Sequence, residues 1–324
     1  MKFRDILVVA VVALLVPLIV HSEYHMFVLT NAAVYSAVII SLNIAFGLCG
    51  VFSLGHAAFW GIGAYTAANF LTRLQMPWVI SLLAGGIVSA LAGILLGIPS
   101  LKVRSFYLAV TTSGFNVIVN LCFVNWIALT YGSDGFPNIP PPFIGPYSIA
   151  STNGKYIVSI IVLLLLIWLF ARIKNSRIGR AFQAIKDNEL AADVSGINIH
   201  YYRVLAFAMS AFVGGVAGGL YASIQGYIAP DTFTGAQSTL LISMLLVGGY
   251  GSIWGPVLGS FFLQILSESM RFLADYYMVV YSLIVVIMAL RFPGGLDALI
   301  RLVAGRLRSA WSERSCRTLP EKGV

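Results

Sequence analysis

The sequence predicts an all-α, polytopic integral membrane protein formed by a single transmembrane domain over residues 1–324. Of its 324 residues, 59% are hydrophobic and only 10% are charged, a composition that cannot supply a water-soluble surface. Apolar stretches also recur along the whole chain, and about 20 apolar helical residues are enough to cross a hydrocarbon core of about 30 Å. No soluble domain is expected.

The apolar stretches define ten candidate membrane segments. They cover residues 6–21, 27–48, 53–72, 78–98, 105–129, 156–172, 203–226, 237–249, 255–270 and 274–291. Glycines interrupt the third, eighth and ninth segments, which are therefore full crossings or broken, re-entrant helices. We expect about 8–10 transmembrane or re-entrant helices. The first segment lacks a small-x-small cleavage site and is interpreted as a retained helix.

Basic residues set the predicted orientation, because Lys and Arg near segment ends stay on the cytoplasmic side. Both termini and the tail 296–324 are then cytoplasmic, and only Arg73, Lys155 and Arg271 lie outside. The net charge of +8 is thus a topology signal, and a nucleic-acid partner is not needed to explain it. The basic residues assigned to the cytoplasm are Lys2, Arg4, Lys102, Arg104, Arg172, Lys174, Arg177, Arg180, Lys186, Arg203, Arg291, Arg301, Arg306 and Arg308.

No catalytic or metal-binding constellation is apparent in the sequence. Cys49, Cys122 and Cys316 are odd in number and lack the spacing of metal ligands, so neither a disulfide framework nor a zinc site is predicted. His56 has no second ligand, acid or nucleophile placed with it. We therefore expect no enzymatic activity, no catalytic residue and no metal in this chain.

Residues 130–155 form the predicted external loop. The stretch "TYGSDGFPNIPPPFIGPYSIASTNGK" is rich in Gly, Pro, Ser and Asn, residue types that form turns and end helices. The loop is either a packed connector or a docking surface for an external partner.

The longest hydrophilic stretch is the cytoplasmic loop 176–200. Ile178, Phe182 and Ile185 recur at helical spacing, which predicts a short amphipathic helix. Asp187 or Asn188 is placed to cap a second helix, which would end at a glycine. Such helices lie on the membrane surface or insert into a groove of a partner protein. The second helix carries Glu189, Leu190, Ala191, Ala192, Asp193 and Gly196.

Two Gly-rich stretches mark a candidate translocation path, "SLGHAAFWGIGAY" and "GGYGSIWGPVLG". Irregular backbone at membrane depth is tolerated only when it is buried in protein or lines a cavity. Ser53 and His56 are expected to hydrogen-bond the interrupted backbone beside the path, or only to cap a helix. Ser252 and Trp254 are the corresponding candidates in the second stretch. Further candidate lining groups are Asn43, Asn116, Asn120, Asn125 and Gln264.

Five stretches of the sequence resemble the branched-chain amino-acid ABC permeases of the LivM type. They are "GVFSLGHAAFWGIGAY", "GSDGFPNIP", "GRAFQAIKDNELAADVSGINIHYYRVLAFAMSAFVGGVAGGLYA", "LLVGGYGSIWGPVLGS" and "RFPGGLDAL". They occur in the order of that family, over about residues 40–297. Tyr131 stands where the family commonly has glycine.

The loop 176–200 is similar to the coupling loop of ABC-importer permeases, which has Glu-Ala-Ala, three residues, then Gly. Ala191, Ala192 and Gly196 match this spacing, whereas Leu190 takes the place of the Glu and the acid is Glu189. The resemblance implies an ABC-importer permease fold, with the helix around Glu189 to Gly196 docking on an ATPase.

The resemblance further implies an importer subunit of the bacterial inner membrane, moving leucine-like amino acids into the cytoplasm by alternating access. Its implied partners are a second homologous permease, two ATPase subunits and an external solute-binding protein. The chain has no G-x-x-x-x-G-K-[ST] phosphate loop, so ATP would be bound by the partners and no cofactor by this chain.

Three alternatives remain for the transport function. The solute of such a permease could instead be urea, an amide or another small organic molecule. An ion-coupled secondary transporter normally shows ionisable side chains at mid-membrane depth, and no Asp or Glu falls in the middle of a predicted segment here. An ion channel would require a filter motif, which is not evident.

Overall fold

The computed structural model describes residues 16–17, 22–100, 105–145, 147–270, 277–291 and 294–299. Its helices are numbered here in chain order. They are α1 Glu23–Leu42, α2 His56–Thr72, α3 Trp78–Ser100, α4 Ser105–Asn125, α5 Ile127–Thr130, α6 Thr152–Lys174, α7 Arg177–Asp187, α8 Glu189–Val194, α9 Ile199–Gln225, α10 Gly235–Gly248, α11 Gly255–Ser269 and α12 Tyr277–Arg291.

The helices confirm the all-α, polytopic membrane class. Five of them are long and apolar enough to span a membrane, namely α1 with its extension to Leu48, α3, α4, α6 and α9. The shorter α2, α10, α11 and α12 correspond to the third, eighth, ninth and tenth predicted segments. Several predicted features lie outside the described residues. They are the N-terminal residues 1–5, all of the first segment except residues 16–17, the basic residues Lys102, Arg104 and Arg271, and the tail beyond residue 299.

Glycine contacts hold α2, α3 and α9 together at the centre of the domain. Gly215 of α9 lies directly against Gly63 of α2 and Gly85 of α3, and Gly218 lies against the Trp60 carbonyl oxygen. A methyl group on any of these glycines would overlap a backbone atom of the facing helix. Such small-residue contacts let membrane helices approach closely. The glycines of "SAFVGGVAGGLYA" therefore pack against other helices of this same chain.

The second predicted segment ends in a π-helix and an irregular stretch. The backbone of α1 continues as a π-helix over Asn43–Leu48, and residues 50–55 are not helical before α2 begins at His56. π-helical turns are rare and often mark functional sites. The third predicted segment therefore begins in this irregular stretch, and its helix α2 runs without interruption from His56 to Thr72.

The connection between α5 and α6 packs against the connection between α9 and α10. Phe136 and Ile228 form a β-bridge, and the Ile139 backbone N–H donates to the Gly226 carbonyl oxygen over 2.9 Å. A small antiparallel hairpin, β1 Phe143–Ile144 and β2 Tyr147–Ser148, follows. The start of the predicted external loop is therefore a packed connector.

Tyr131 occupies a left-handed backbone conformation at the end of α5, with φ of +62°. Glycine adopts this conformation without a steric penalty, whereas tyrosine does not. The backbone at this position therefore favours glycine, which the resembling family commonly has there, although this chain has tyrosine. The Arg73 guanidinium lies over the Tyr131 ring, 5.3 Å from the ring centre, and the Phe136 ring contacts it in an edge-to-face arrangement.

Candidate functional site

The loop 176–200 folds as two short helices, as its sequence predicts. Ser176 caps α7 by accepting a hydrogen bond from the Gly179 backbone N–H, and Asn188 caps α8 through the Ala191 N–H. Phe182 and Ile185 are buried and anchor α7 to the membrane domain. The apolar stripe of α7 therefore faces this chain, which leaves α8 as the projecting element.

The exposed face of α8 is apolar. Leu190 is 80% exposed and Val194 is 90% exposed, and these residues share one face of the helix because they are four positions apart. Ala192 is only 3% exposed and packs inward. Two large apolar side chains that project from one face of a short helix are typical of helix-in-groove recognition.

An ion pair and a left-handed glycine fix the position of α8. The Arg203 guanidinium of α9 binds the Glu189 carboxylate at 2.6 Å. Gly196, two residues after the end of α8, has a φ of +81°, where a residue with a side chain would be strained. Glu189, which precedes the position of the family's Glu, thus contacts α9 of this chain, and Asp193 is exposed.

Asn43 joins the π-helix to the turn between α10 and α11. Its side-chain carbonyl accepts from the Gly251 backbone N–H at 2.7 Å, and its amide donates to the Ser252 carbonyl oxygen at 2.8 Å. A side chain at Gly47 would overlap Asn43 and approach the Gly251 nitrogen. The sequence predicts Asn43 only as a candidate lining group. The structure shows that its side chain forms two hydrogen bonds to the turn between α10 and α11.

Two lysines, one at the end of α6 and one in the loop 176–200, bind backbone groups of this same region. The Lys186 ammonium, at the end of α7, donates to the Gly47 carbonyl oxygen of the π-helix at 2.8 Å and lies 4.7 Å from the Tyr250 ring centre. The Lys174 ammonium donates to the Gly251 carbonyl oxygen at 2.6 Å. Partial burial lowers the pKa of Lys186, while the Asp187 carboxylate acts in the opposite direction.

This lysine contact was not predicted from the sequence, which treated Lys186 only as a flanking basic residue. One signal was present: Lys186 follows Phe182 by four residues and therefore shares the anchoring face of α7. The π-helix carbonyl that it binds has no sequence signature.

Ser53 and His56 lie at the start of α2 but bind different groups. Ser53 accepts from the Gly55 backbone N–H at 3.3 Å, whereas the His56 Nε2 pairs with the Ser41 hydroxyl of α1 at 2.5 Å. The Ser238 hydroxyl of α10 accepts from the Ala57 N–H. Hydroxyl groups of other helices therefore stabilise the beginning of α2 inside the domain.

In the second Gly-rich stretch, Ser252 forms hydrogen bonds within a turn, whereas Trp254 borders a cleft. The Ser252 hydroxyl donates to the Gly249 carbonyl oxygen and accepts from the Gly255 N–H, so it stabilises the turn before α11. Trp254 borders an apolar cleft between α6 and α11, together with Ile160 and Val257. Among the described residues, no group of three or more His, Cys, Asp or Glu side chains is placed to bind a metal.

Comparisons with known proteins identify related transport proteins. A sequence profile of the family "Branched-chain amino acid transport system / permease component" matches residues 24–289. The high-affinity branched-chain amino acid permease protein LivM of Escherichia coli K12 is 30% identical over 84% of this chain and 69% of its own. LivH of the same organism is 24% identical over 81% and 90% of the two chains.

A third relative carries a different name. The nucleoside ABC transporter permease protein NupC of Lactococcus lactis is 26% identical over 71% of this chain and 76% of its own. No solved structure gives a significant match. The profile match over most of the chain, together with the identity to LivM, shows that this membrane protein belongs to the branched-chain amino acid transport system permease family.

Proposed function

We propose that this chain is the membrane-spanning permease subunit of an ABC importer that moves branched-chain amino acids into the cytoplasm. It works in the bacterial inner membrane, with both termini cytoplasmic, beside a second homologous permease. Two ATPase subunits supply the energy and bind the ATP, and an external binding protein delivers the solute. The observation that carries this proposal is the family match over residues 24–289.

The exposed α8 supports the coupling role of the cytoplasmic loop. Leu190 and Val194 project from the same end of the domain as the basic residues Arg177, Arg180 and Lys186. An amphipathic helix with protruding apolar anchors binds a hydrophobic groove, which an ATPase subunit would provide. Alternating access would then follow from movement of α8 with that subunit.

We propose that Lys186 transmits this movement to the membrane domain. Its helix carries α8, and its ammonium holds the π-helix through the Gly47 carbonyl oxygen. Asn43 links the same π-helix to the turn before α11. Displacement of α7 would therefore act on both interrupted helices together. Ser53, His56, Ser252 and Trp254 border the proposed path by holding or flanking these interruptions.

Loss of the Lys186 ammonium should uncouple the transporter. We expect Lys186→Met to retain the ATPase subunits but to lower ATP-driven uptake about tenfold, because a charge-assisted hydrogen bond contributes roughly 1.5–3 kcal/mol. Arg180→Met removes a charge from an exposed position of the same helix and is the matched control. Equal uptake by Lys186→Met and wild type would contradict the transmission role.

Transport in a defined system tests the proposed function. The chain, the second permease and the ATPase subunits are reconstituted in vesicles, and binding protein with radiolabelled L-leucine is added. We expect uptake that requires both ATP and the binding protein. Accumulation by this chain alone, driven by an ion gradient without ATP, would instead establish a secondary transporter.

The solute itself is tested on the binding protein. Screening its thermal stability against branched-chain amino acids, amides, urea and nucleosides should give the largest stabilisation with a leucine-like amino acid. The nucleoside name of one relative makes nucleosides the most useful competing class. A selective response to one of the other classes would replace the amino-acid assignment.

A further inference from the structure

We propose that the beginning of α10 and the side chain of Asn116 form a binding site for the charged backbone groups of a zwitterionic amino acid. The N-terminus of α10 and the Asn116 amide would receive the carboxylate, and side-chain carbonyl oxygens of Asn116 and Gln237 would receive the ammonium. This inference rests on the proposed function, because it assigns a place in the chain to the solute of that transport.

α10 begins inside the membrane domain. Its 14 residues rise only about 21 Å, which is less than the ~30 Å of a hydrocarbon core. Its last residue, Gly248, adjoins the turn whose Gly251 carbonyl oxygen binds Lys174 and whose Tyr250 ring lies beside Lys186, at the predicted cytoplasmic end. The first residue, Gly235, therefore lies at membrane depth, where half-helix N-termini bind anionic substrate groups in other transporters.

The start of α10 lacks the usual intramolecular cap. Thr234 occupies the N-cap position but makes no side-chain capping hydrogen bond, and no acidic residue lies in the first turn. The first N–H groups of a helix have no partner within the helix and carry partial positive charge. Gly235 is exposed at this point, so a ligand can approach the backbone closely.

Asn116 supplies an independent indication of a ligand. Its side chain is buried, with only 1% exposed, yet neither its amide nitrogen nor its carbonyl oxygen has a partner among the described residues. Leaving a buried polar group unpaired is unfavourable. Its amide nitrogen lies 3.8 Å from the position that a Cβ atom on Gly235 would take. The unpaired amide thus points to the uncapped helix start.

Neighbouring groups keep Asn116 in place and add a second acceptor. Asn120, one turn further along α4, donates to the Pro230 carbonyl oxygen at 2.7 Å and ties α4 to the segment before α10. The Gln237 side-chain carbonyl, in the first turn of α10, is also buried without a partner among the described residues. Amide donors and acceptors without net charge match a solute whose own two charges cancel.

Substitutions at Asn116 test the carboxylate contact. In the reconstituted complex, we expect Asn116→Ala to lower L-leucine uptake at least tenfold, and Asn116→Asp to lower it further because its carboxylate repels that of the solute. Thr111→Ala is the control on the same helix, because the Thr111 hydroxyl of α4 donates to the Tyr107 carbonyl oxygen of its own helix. ATPase activity stimulated by the binding protein should persist in all three variants.

Gly235→Leu tests the same site without disturbing the core. Only the Asn116 amide lies within 4 Å of the added Cβ atom, so the variant should fold and insert normally while its side chain fills the space before the helix. We expect uptake to fall at least tenfold with ATPase stimulation retained.

The outcomes separate this site from the proposed function. If wild type takes up L-leucine but Asn116→Ala and Gly235→Leu stay within twofold of it, the site is wrong and the function stands. An Asn116→Asp variant as active as Asn116→Ala excludes carboxylate binding. If uptake falls only in proportion to the folded protein recovered, the role is structural. A wild-type complex that transports no amino acid overturns both.

Discussion

Replacing Leu190 and Val194 together by glutamate should abolish binding of the ATPase subunits. Both side chains are almost fully exposed on α8, and fully burying a Leu or Val side chain contributes about 1.5–3 kcal/mol. Burying two carboxylates without partners would cost more. We expect the ATPase to be lost on purification of the complex and ATP-driven uptake to fall to background.

The control is the same kind of change in the hairpin that precedes α6, whereas α7 and α8 follow the far end of that 23-residue helix. Tyr147 is 78% exposed on the hairpin β1–β2, so Tyr147→Glu should retain the ATPase. The choice of Leu190 and Val194 follows from the structure, because a change at buried Ala192 would alter the packing of the loop. Normal recovery of the ATPase with Leu190→Glu/Val194→Glu would exclude α8 as its docking element.

Gly218→Leu should prevent the domain from folding. Its side chain would overlap the Trp60 carbonyl oxygen and approach the Ala64 nitrogen to 2.8 Å, and a rigid backbone cannot move away as a side chain does. Overpacking of a dense core costs about 1–3 kcal/mol for small insertions and more for larger ones. We expect little monodisperse protein on size-exclusion chromatography, and a lower melting temperature for whatever is recovered.

Gly114→Leu is the corresponding control in another membrane helix. Gly114 of α4 is exposed, and no atom lies within 4 Å of an added Cβ atom. Leucine also favours helix more than glycine does, so this variant should fold as well as wild type. Equal recovery of Gly218→Leu and Gly114→Leu would show that α2 and α9 are not held by their close contact.

Much of the architecture follows from local patterns in the sequence. The apolar stretches coincide with the long helices, and the stripe of Ile178, Phe182 and Ile185 predicted α7. The N-cap of α8 was also predicted as Asp187 or Asn188, because such a side chain satisfies N–H groups only a few residues away, and Asn188 is the cap. The spacing of Gly214, Gly215, Gly218 and Gly219 in the sequence is typical of close helix packing in α9. It did not specify the partners, since many helices present small residues.

The candidate site combines predicted and unpredicted residues. The Ser53 hydroxyl accepts from the Gly55 N–H, only two residues away in the chain. His56 instead pairs with Ser41, which lies in a different helix. Whether the Asn116 amide is hydrogen-bonded depends on which groups the packing of the helices brings near it. A sequence lists that side chain as one of several candidate lining groups and cannot distinguish it from Asn120, whose amide is satisfied.

The sequence by itself determined the membrane class, the positions of the helices and the family, because hydrophobic length, periodicity and ordered motifs are all local properties of the chain. Only the tertiary structure decided which groups meet. It places Lys186 on the Gly47 carbonyl, turns Leu190 and Val194 outward, and leaves Asn116 unpaired beside the start of α10. These contacts join residues far apart in the chain, and their geometry depends on the packing of every helix between them.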